Sequence, residues 1–337
     1  MNLLAELGAE LPVVAAPMAG GPTTTALVDA ASRAGSFGFL AAGYQTPEEL
    51  AGQLEAVGGV RFGVNLFAPV PVPVDLAAYL AYRERLLPLA EQYAVDLAEV
   101  PVEDDDAWDA KVELLVAAAP AVVSFTFGLP DADSARRLHT AGSLLAQTVT
   151  SPEEARLAAD AGLDLLVVQA PAAGGHSGTF TPERSIGSES LADLVRAVRA
   201  AADLPVIAGG GVGGPADVRA ALGAGASAVA VGTLLLLADE AGTSATYRAA
   251  LSGAGRGDPV LTRAYSGRPA RGLPTAFIAA HSAAAPLGYP ALHHLTTPIR
   301  RAAAAAGDPD NVNLWAGTGY RAATAGPASR ILSGLAL

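Results

Sequence analysis

The chain has 337 residues, 51% of them hydrophobic, and a formal net charge of −12. That length and composition allow one large domain with a sizeable core, and the acidic balance argues against nucleic-acid or anionic-membrane partners. Cysteine is absent, which excludes disulfides, thiolate metal sites and a cysteine nucleophile, and no apolar run nears the roughly 20 residues of a membrane helix.

Short β-rich runs alternate with helical patterns. Strands are expected at 13–18, 37–42, 62–67, 121–127, 144–149, 165–170, 205–210 and 228–232. They read as nearly continuous apolar stretches, as strands buried on both faces of a parallel sheet should. Helix starts fall between them. Thr23-Thr24-Thr25 opens a helix running to about residue 34. Thr46-Pro47-Glu48-Glu49 and Ser151-Pro152-Glu153-Glu154 each offer a hydroxyl cap, a first-turn proline and acids at the positive helix end. Eight such units predict an α/β fold, the (β/α)₈ TIM barrel. Two regions break the rhythm. Residues 68–119 hold a Pro/Val hinge, helical stretches and the acidic run Glu103-Asp104-Asp105-Asp106, read as a solvated helix start. Residues beyond about 239 are Ala-rich with scattered prolines. The expected division is a barrel over 1–238, a small helical lobe over its mouth at 239–310, and a segment at 311–337 returning to the barrel.

Gly209-Gly210-Gly211-Val212-Gly213-Gly214 matches GxGxxG between a strand and a helix. A dinucleotide site of that kind wants an acid near the end of the next strand, and Ala228-Val229-Ala230-Val231-Gly232-Thr233 has none. The barrel accounts for the glycines better. Phosphate sites in these barrels form from the loops after strands seven and eight, where Gly209, Gly210, Gly211, Gly232 and Thr233 fall. Two tight turns without a ligand are the plainer alternative.

The other strand ends carry Ala16-Pro17-Met18, Asn65, Thr126, Gln147 and Gln169. Buried amides need partners, and the amide-like edge of a flavin ring suits Asn65 and Gln169. After strand six, Gly174-Gly175-His176-Ser177-Gly178 presents His176 at the barrel mouth, where an imidazole can act as a base or bind an anion; a surface-loop histidine is the alternative. His139 lies on an expected outer helix and His281 is isolated. His293 and His294 diverge by about 100° on a helix and cannot hold one metal together. No metal site is expected.

Taken together, these residues resemble the nitronate monooxygenase family, formerly 2-nitropropane dioxygenases, almost end to end. The matches are Ala16-Pro17-Met18-Ala19-Gly20-Gly21, Gly63-Val64-Asn65-Leu66-Phe67, Ser124-Phe125-Thr126-Phe127-Gly128, Gly174-Gly175-His176, Ser266-Gly267-Arg268-Pro269-Ala270-Arg271-Gly272 and Leu314-Trp315-Ala316-Gly317-Thr318-Gly319-Tyr320. Several resemble the class I branch, which usually carries Gln where this chain has Thr318. The resemblance implies non-covalent FMN and a catalytic His176. It also implies a cofactor shell of Ala16, Pro17, Met18, Asn65, Thr126, Gln169, Gly174, Gly175, Gly209, Gly210, Gly211, Gly232 and Thr233. The implied reaction oxidises an alkyl nitronate, propionate 3-nitronate foremost, with O₂ to a carbonyl compound and nitrite. Cationic help would come from protonated His176 or from Arg268 or Arg271. A flavin reductase on the same scaffold, of the type II enoyl-ACP or NADH:quinone kind, is the competing expectation, and a flavin- or phosphate-binding protein without turnover is a second. The expected setting is cytoplasmic, as the N-terminus lacks the basic start of a signal peptide, and the expected state is monomer or homodimer.

Overall fold

All eight expected strands form, most of them shortened at one or both ends: β1 (Val13–Ala15), β2 (Phe37–Ala41), β3 (Phe62–Phe67), β4 (Val122–Thr126), β5 (Leu144–Val149), β6 (Leu165–Gln169), β7 (Val206–Gly209) and β8 (Ala228–Val231). In the computed structural model, which describes residues 3–253 and 255–336, they close in chain order into a parallel barrel. The seam is β8 against β1, with Val13, Val14 and Ala15 beside Val229, Ala230 and Val231. A closed ring is incompatible with the open sheet that a dinucleotide-binding reading of Gly209–Gly214 requires.

Val14, Phe37, Phe39, Val122, Ala146, Leu165, Ile207 and Ala228 form one cluster inside the barrel. Leu3 and Leu7 of the short helix Leu3–Leu7 join it and plug the N-terminal end of the strands. The outer helices start where the sequence places them. Thr24 accepts from Leu27 N, Thr46 and Glu49 make a reciprocal capping box, and Ser151 accepts from Glu154 N. Each such cap is worth about 1 kcal/mol.

Two long insertions follow β3 and β8, so both leave from the C-terminal end of the barrel. Helix Leu76–Gln92 from the first meets helix Ala291–Ala305 from the second. Tyr79, Tyr82 and Leu86 share one core with Tyr265, Phe277, Leu292 and Leu295. The second insertion is not all helical. Val260–Thr262 and Ala270–Gly272 pair antiparallel, and Ala270 and Arg271 pair in turn with His176 and Gly175. His176 therefore sits on a short strand rather than a free loop. After this excursion the chain returns. Helix Ala328–Leu335 packs Ala328, Leu332 and Leu335 into the barrel's outer core, against helices Thr25–Arg33 and Pro215–Gly223.

The acidic run is also more than a solvated helix start. Asp106 pairs with the buried Lys111 at 2.8 Å and accepts from Tyr44 N, while Asp104 meets His294 at 3.0 Å. The helix itself begins at Trp108. No described helix is long and apolar enough to cross a membrane, and no group of three or more metal-ligating side chains occurs among the described residues.

Candidate active site

A cavity of about 500 Å³ opens at the C-terminal ends of the strands. Ala16, Pro17 and Met18 line it from the end of β1, Asn65 from β3, Thr126 from β4 and Gln169 from β6. Gly174, Gly175 and His176 line it from the segment after β6, Gly209, Gly210 and Gly211 from the end of β7, and Gly232 and Thr233 from the turn after β8. The sequence-derived site residues thus meet in one place.

The glycine segments form a cradle of backbone. Gly210 and Gly211 take φ of +115° and +78°, values that L side chains resist. Among the described residues, none accepts a hydrogen bond from the backbone N–H of Gly211, Gly232 or Thr233. The helix that follows, Pro215–Gly223, contributes less than its dipole suggested. Its first turn already holds a carboxylate, Asp217 accepting from Gly213 N at 2.8 Å. The Trp-Ala-Gly-Thr-Gly segment presses against both glycine loops. A Cβ on Gly174 would sit 2.4 Å from Gly317 N, and one on Gly319 would sit 2.3 Å from Val212 O. These glycines exist because backbone crosses backbone.

The three amides behave differently. Asn65 Oδ1 accepts from Ser124 Oγ at 2.9 Å and Thr126 Oγ1 at 3.0 Å, which leaves its Nδ2 donors toward the cavity. Gln169 donates to His176 O at 3.0 Å and accepts from Gly178 N at 2.7 Å, so its main work is to latch the histidine segment to β6. Gln147 is fully buried and bonds the backbone oxygens of Phe125, Gly128 and Thr148; it faces away from the cavity and belongs to the core.

His176 lies in an aromatic enclosure, its ring centre 5.4 Å from that of Trp315 and 6.0 Å from those of Tyr289 and Phe127. Its Nε2 is 2.7 Å from Ser266 Oγ, and that hydroxyl is 3.3 Å from Arg268 O. In the tautomer in which the Ser266 hydroxyl donates to Nε2, Nδ1 carries the ring's N–H. Burial, reinforced by the charges of Arg268 and Arg300, holds the imidazole's pKa at about 3, well below its usual 6.5. The cationic His176 considered from sequence is therefore replaced by a neutral ring, and the positive charge resides on arginines.

Arg268 is completely buried. It donates to the backbone oxygens of Ser177 and Thr179 and lies 4.0 Å over the Phe127 ring, with Nη1 unpartnered. Arg271 points away and donates to Pro171 O and Pro259 O. The cation that reaches the cavity is one the sequence reading left out, Arg300, together with its neighbour Arg301. His293 also lines the cavity, stacked on Tyr44 with ring centres 4.0 Å apart, while its neighbour His294 turns to Asp104. Tyr44, Ser266 and Trp315 complete the wall. Trp315 was visible in its motif; His293 and Arg300 carried no local signal beyond a helical spacing.

A closed parallel barrel with a backbone-lined cradle after β7 and β8, and a histidine and arginines above it, is the arrangement of a barrel enzyme with its site at the C-terminal strand ends. The comparisons are narrower. The profile described as "Nitronate monooxygenase" matches residues 2–337. A nitronate monooxygenase of Pseudomonas aeruginosa is 38% identical over 97% of this chain and 95% of its own length. A probable nitronate monooxygenase of Bacillus subtilis is 33% identical over 93% and 91%. Among solved structures, a nitroalkane oxidase from Streptomyces ansochromogenes superposes with a TM-score of 0.93 at 40% identity, covering 100% of this chain and 97% of that one. FabK from Thermotoga maritima shares the fold, with a TM-score of 0.75 at 23% identity over 99% and 94%. The chain belongs to the nitronate monooxygenase family and is an enzyme of the oxidoreductase class.

Proposed function

We propose that this enzyme binds FMN and uses O₂ to oxidise alkyl nitronates to a carbonyl compound and nitrite, with propionate 3-nitronate the leading substrate. The observation that carries this reading is the charge of the cavity wall. The chain has 33 acidic residues, yet among the described residues no Asp or Glu lines the cavity, whereas two arginines do. An electron-rich anion is the substrate such a wall attracts.

The residues present fit the cofactor. The unpartnered backbone N–H groups of Gly211, Gly232 and Thr233 suit a phosphate, and the free donors of Asn65 suit the acceptor edge of a flavin ring. Pro17 and Met18 supply an apolar wall beside them. Bound there, FMN would take electrons from the nitronate and hand them to O₂.

The chain's own groups bind and orient. A nitronate arrives already deprotonated, so the protein needs to hold its charge rather than remove a proton. His176 donates from Nδ1 to a nitronate oxygen, with Ser266 fixing the ring from the other side. Trp315, Tyr289 and Phe127 exclude water around it and strengthen that bond. Arg268 acts from behind the wall through its field alone.

The test is spectroscopic. Purified protein is expected to be yellow, and anaerobic mixing with an alkyl nitronate should bleach the flavin while NADH leaves it oxidised. Bleaching by NADH and not by nitronate would replace this reading with the reductase.

A further inference from the structure

The cavity holds more positive charge than one nitronate requires. Arg300 is fixed by neutral partners only: Nε donates to Thr296 Oγ1 at 3.1 Å, Nη1 to Asn313 Oδ1 at 3.0 Å, and Nη2 to Thr297 Oγ1 at 2.7 Å and His293 O at 3.1 Å. Among the described residues no carboxylate pairs with it, and Arg301 beside it makes no hydrogen bond or ion pair. A guanidinium has five N–H groups, so Arg300 keeps a donor on Nη1. Its neighbours hold it in place without neutralising it. In a chain of net charge −12, an uncompensated cation on a cavity wall is costly unless a ligand completes it.

The position is as telling as the charge. His293, Thr297, Arg300, Arg301 and Ala304 all lie on helix Ala291–Ala305 and all line the cavity, so one face of this helix forms a wall opposite the strand ends. His176 rises from a different segment and belongs to the nitronate.

We propose that Arg300 is a specificity-determining residue that binds a second anionic group, a carboxylate, on the nitronate substrate, with the exposed Arg301 drawing the dianion in. This rests on the nitronate reading above and assigns a residue to its substrate choice. Because the arginine's partners are neutral side chains and a backbone oxygen, an incoming carboxylate displaces no existing ion pair. A monoanionic alkyl nitronate feels Arg300 only through its field and makes no hydrogen bond to it.

The experiment compares two nitronates of equal length in the FMN-loaded enzyme, one from 3-nitropropionate and one from 1-nitropropane, where a methyl replaces the carboxylate. Arg300→Met should lower kcat/KM for the dianion about 10- to 100-fold more than for the monoanion, the range of a charge-assisted hydrogen bond. Arg300→Lys should recover part of the preference. Equal losses on both substrates would mean that Arg300 only braces His293 and Asn313, and an unchanged preference would mean that the carboxylate lies elsewhere; either overturns the proposal. If the wild type oxidises neither nitronate, the reaction reading fails while the subsite is still decided by calorimetric titration with 3-nitropropionate and 1-nitropropane. Tighter binding of the carboxylate that is lost in Arg300→Met upholds the subsite, and no difference removes it.

Discussion

Gly174→Ala places a methyl group where the histidine segment crosses the C-terminal motif. The added Cβ would lie 2.4 Å from Gly317 N, 2.5 Å from Ala316 C and 2.8 Å from Ala316 Cα. Ordinary contact begins near 3.4 Å, so the two backbones must part by about 1 Å, and no flexible side chain can yield instead. Overpacking of this kind costs about 1–3 kcal/mol, and an all-backbone clash belongs at the upper end. For a chain of this size roughly 3 kcal/mol corresponds to a fall in Tm of about 4 °C. The displaced segment carries His176 two residues on, and a shift of about 1 Å at a reacting group costs on the order of 100-fold in rate. Differential scanning fluorimetry and kcat/KM with an alkyl nitronate measure the two effects. Gly175→Ala is the control. Gly175 has φ +78° but an open Cβ site, so it should lose only the 1–2 kcal/mol of left-handed backbone strain. A Gly174→Ala enzyme with wild-type Tm and rate, or one milder than Gly175→Ala, would refute the crossing as the reason for the glycine.

His176→Asn should retain flavin and lose about 10- to 100-fold in kcat/KM on nitronates, with no extra loss on the neutral nitroalkane, because the ring donates a hydrogen bond rather than accepting a proton; a much larger loss on the neutral form would restore the base role. The pH dependence follows from the same group. The unfolded chain protonates this histidine below about 6.5 while the folded chain resists until about 3, so folding weakens as pH falls through that window, and kcat/KM should show no inflection near 6.5 from His176. Gly210→Asp puts a carboxylate into the glycine cradle, where its Cβ alone already meets Ala170 O and Ala173 within 3.1 Å, and should give protein without flavin absorbance in the visible. Lys111→Met leaves Asp106 without its cation in a site where burial already raises its pKa, and should cost about 3 kcal/mol by urea denaturation, with Asp106→Asn in the same chain recovering part of it.

The barrel could be read because its strands carry their own signal. Continuous apolar runs such as residues 165–168, preceded by a helix that Ser151-Pro152-Glu153-Glu154 opens, leave few alternatives. Asn65, His176 and the glycines could be read because active sites of these barrels collect at the strand ends, so chain position gives spatial position. Gln147 shows where that shortcut stops. Strand residues alternate between faces, and with apolar neighbours on both sides nothing in the run says which parity points inward. Arg300 and His293 were illegible for a different reason. Their helix has an ordinary amphipathic spacing, and its polar face lines the cavity only because Tyr79, Tyr82 and Leu86, some 200 residues earlier, hold the helix over the barrel mouth. The pairing of His176 with Ala270 is equally long-range and has no local signature.

The helix Ala328–Leu335 sits in the place of the eighth barrel helix, although about 100 residues separate it from β8. The wall of the cavity is spliced between the last strand and the helix that seals it. Contacts of such sequence separation form late, because loop closure must precede them. Leu332 and Ala328 can cover the flank of helix Thr25–Arg33 only after the intervening segment has settled over the mouth. Assembly of the catalytic end and sealing of the ring are therefore expected to be one cooperative event. In hydrogen exchange, amides of Ala328–Leu335 and Ala291–Ala305 should therefore exchange as one unfolding unit, joined by the order of the chain.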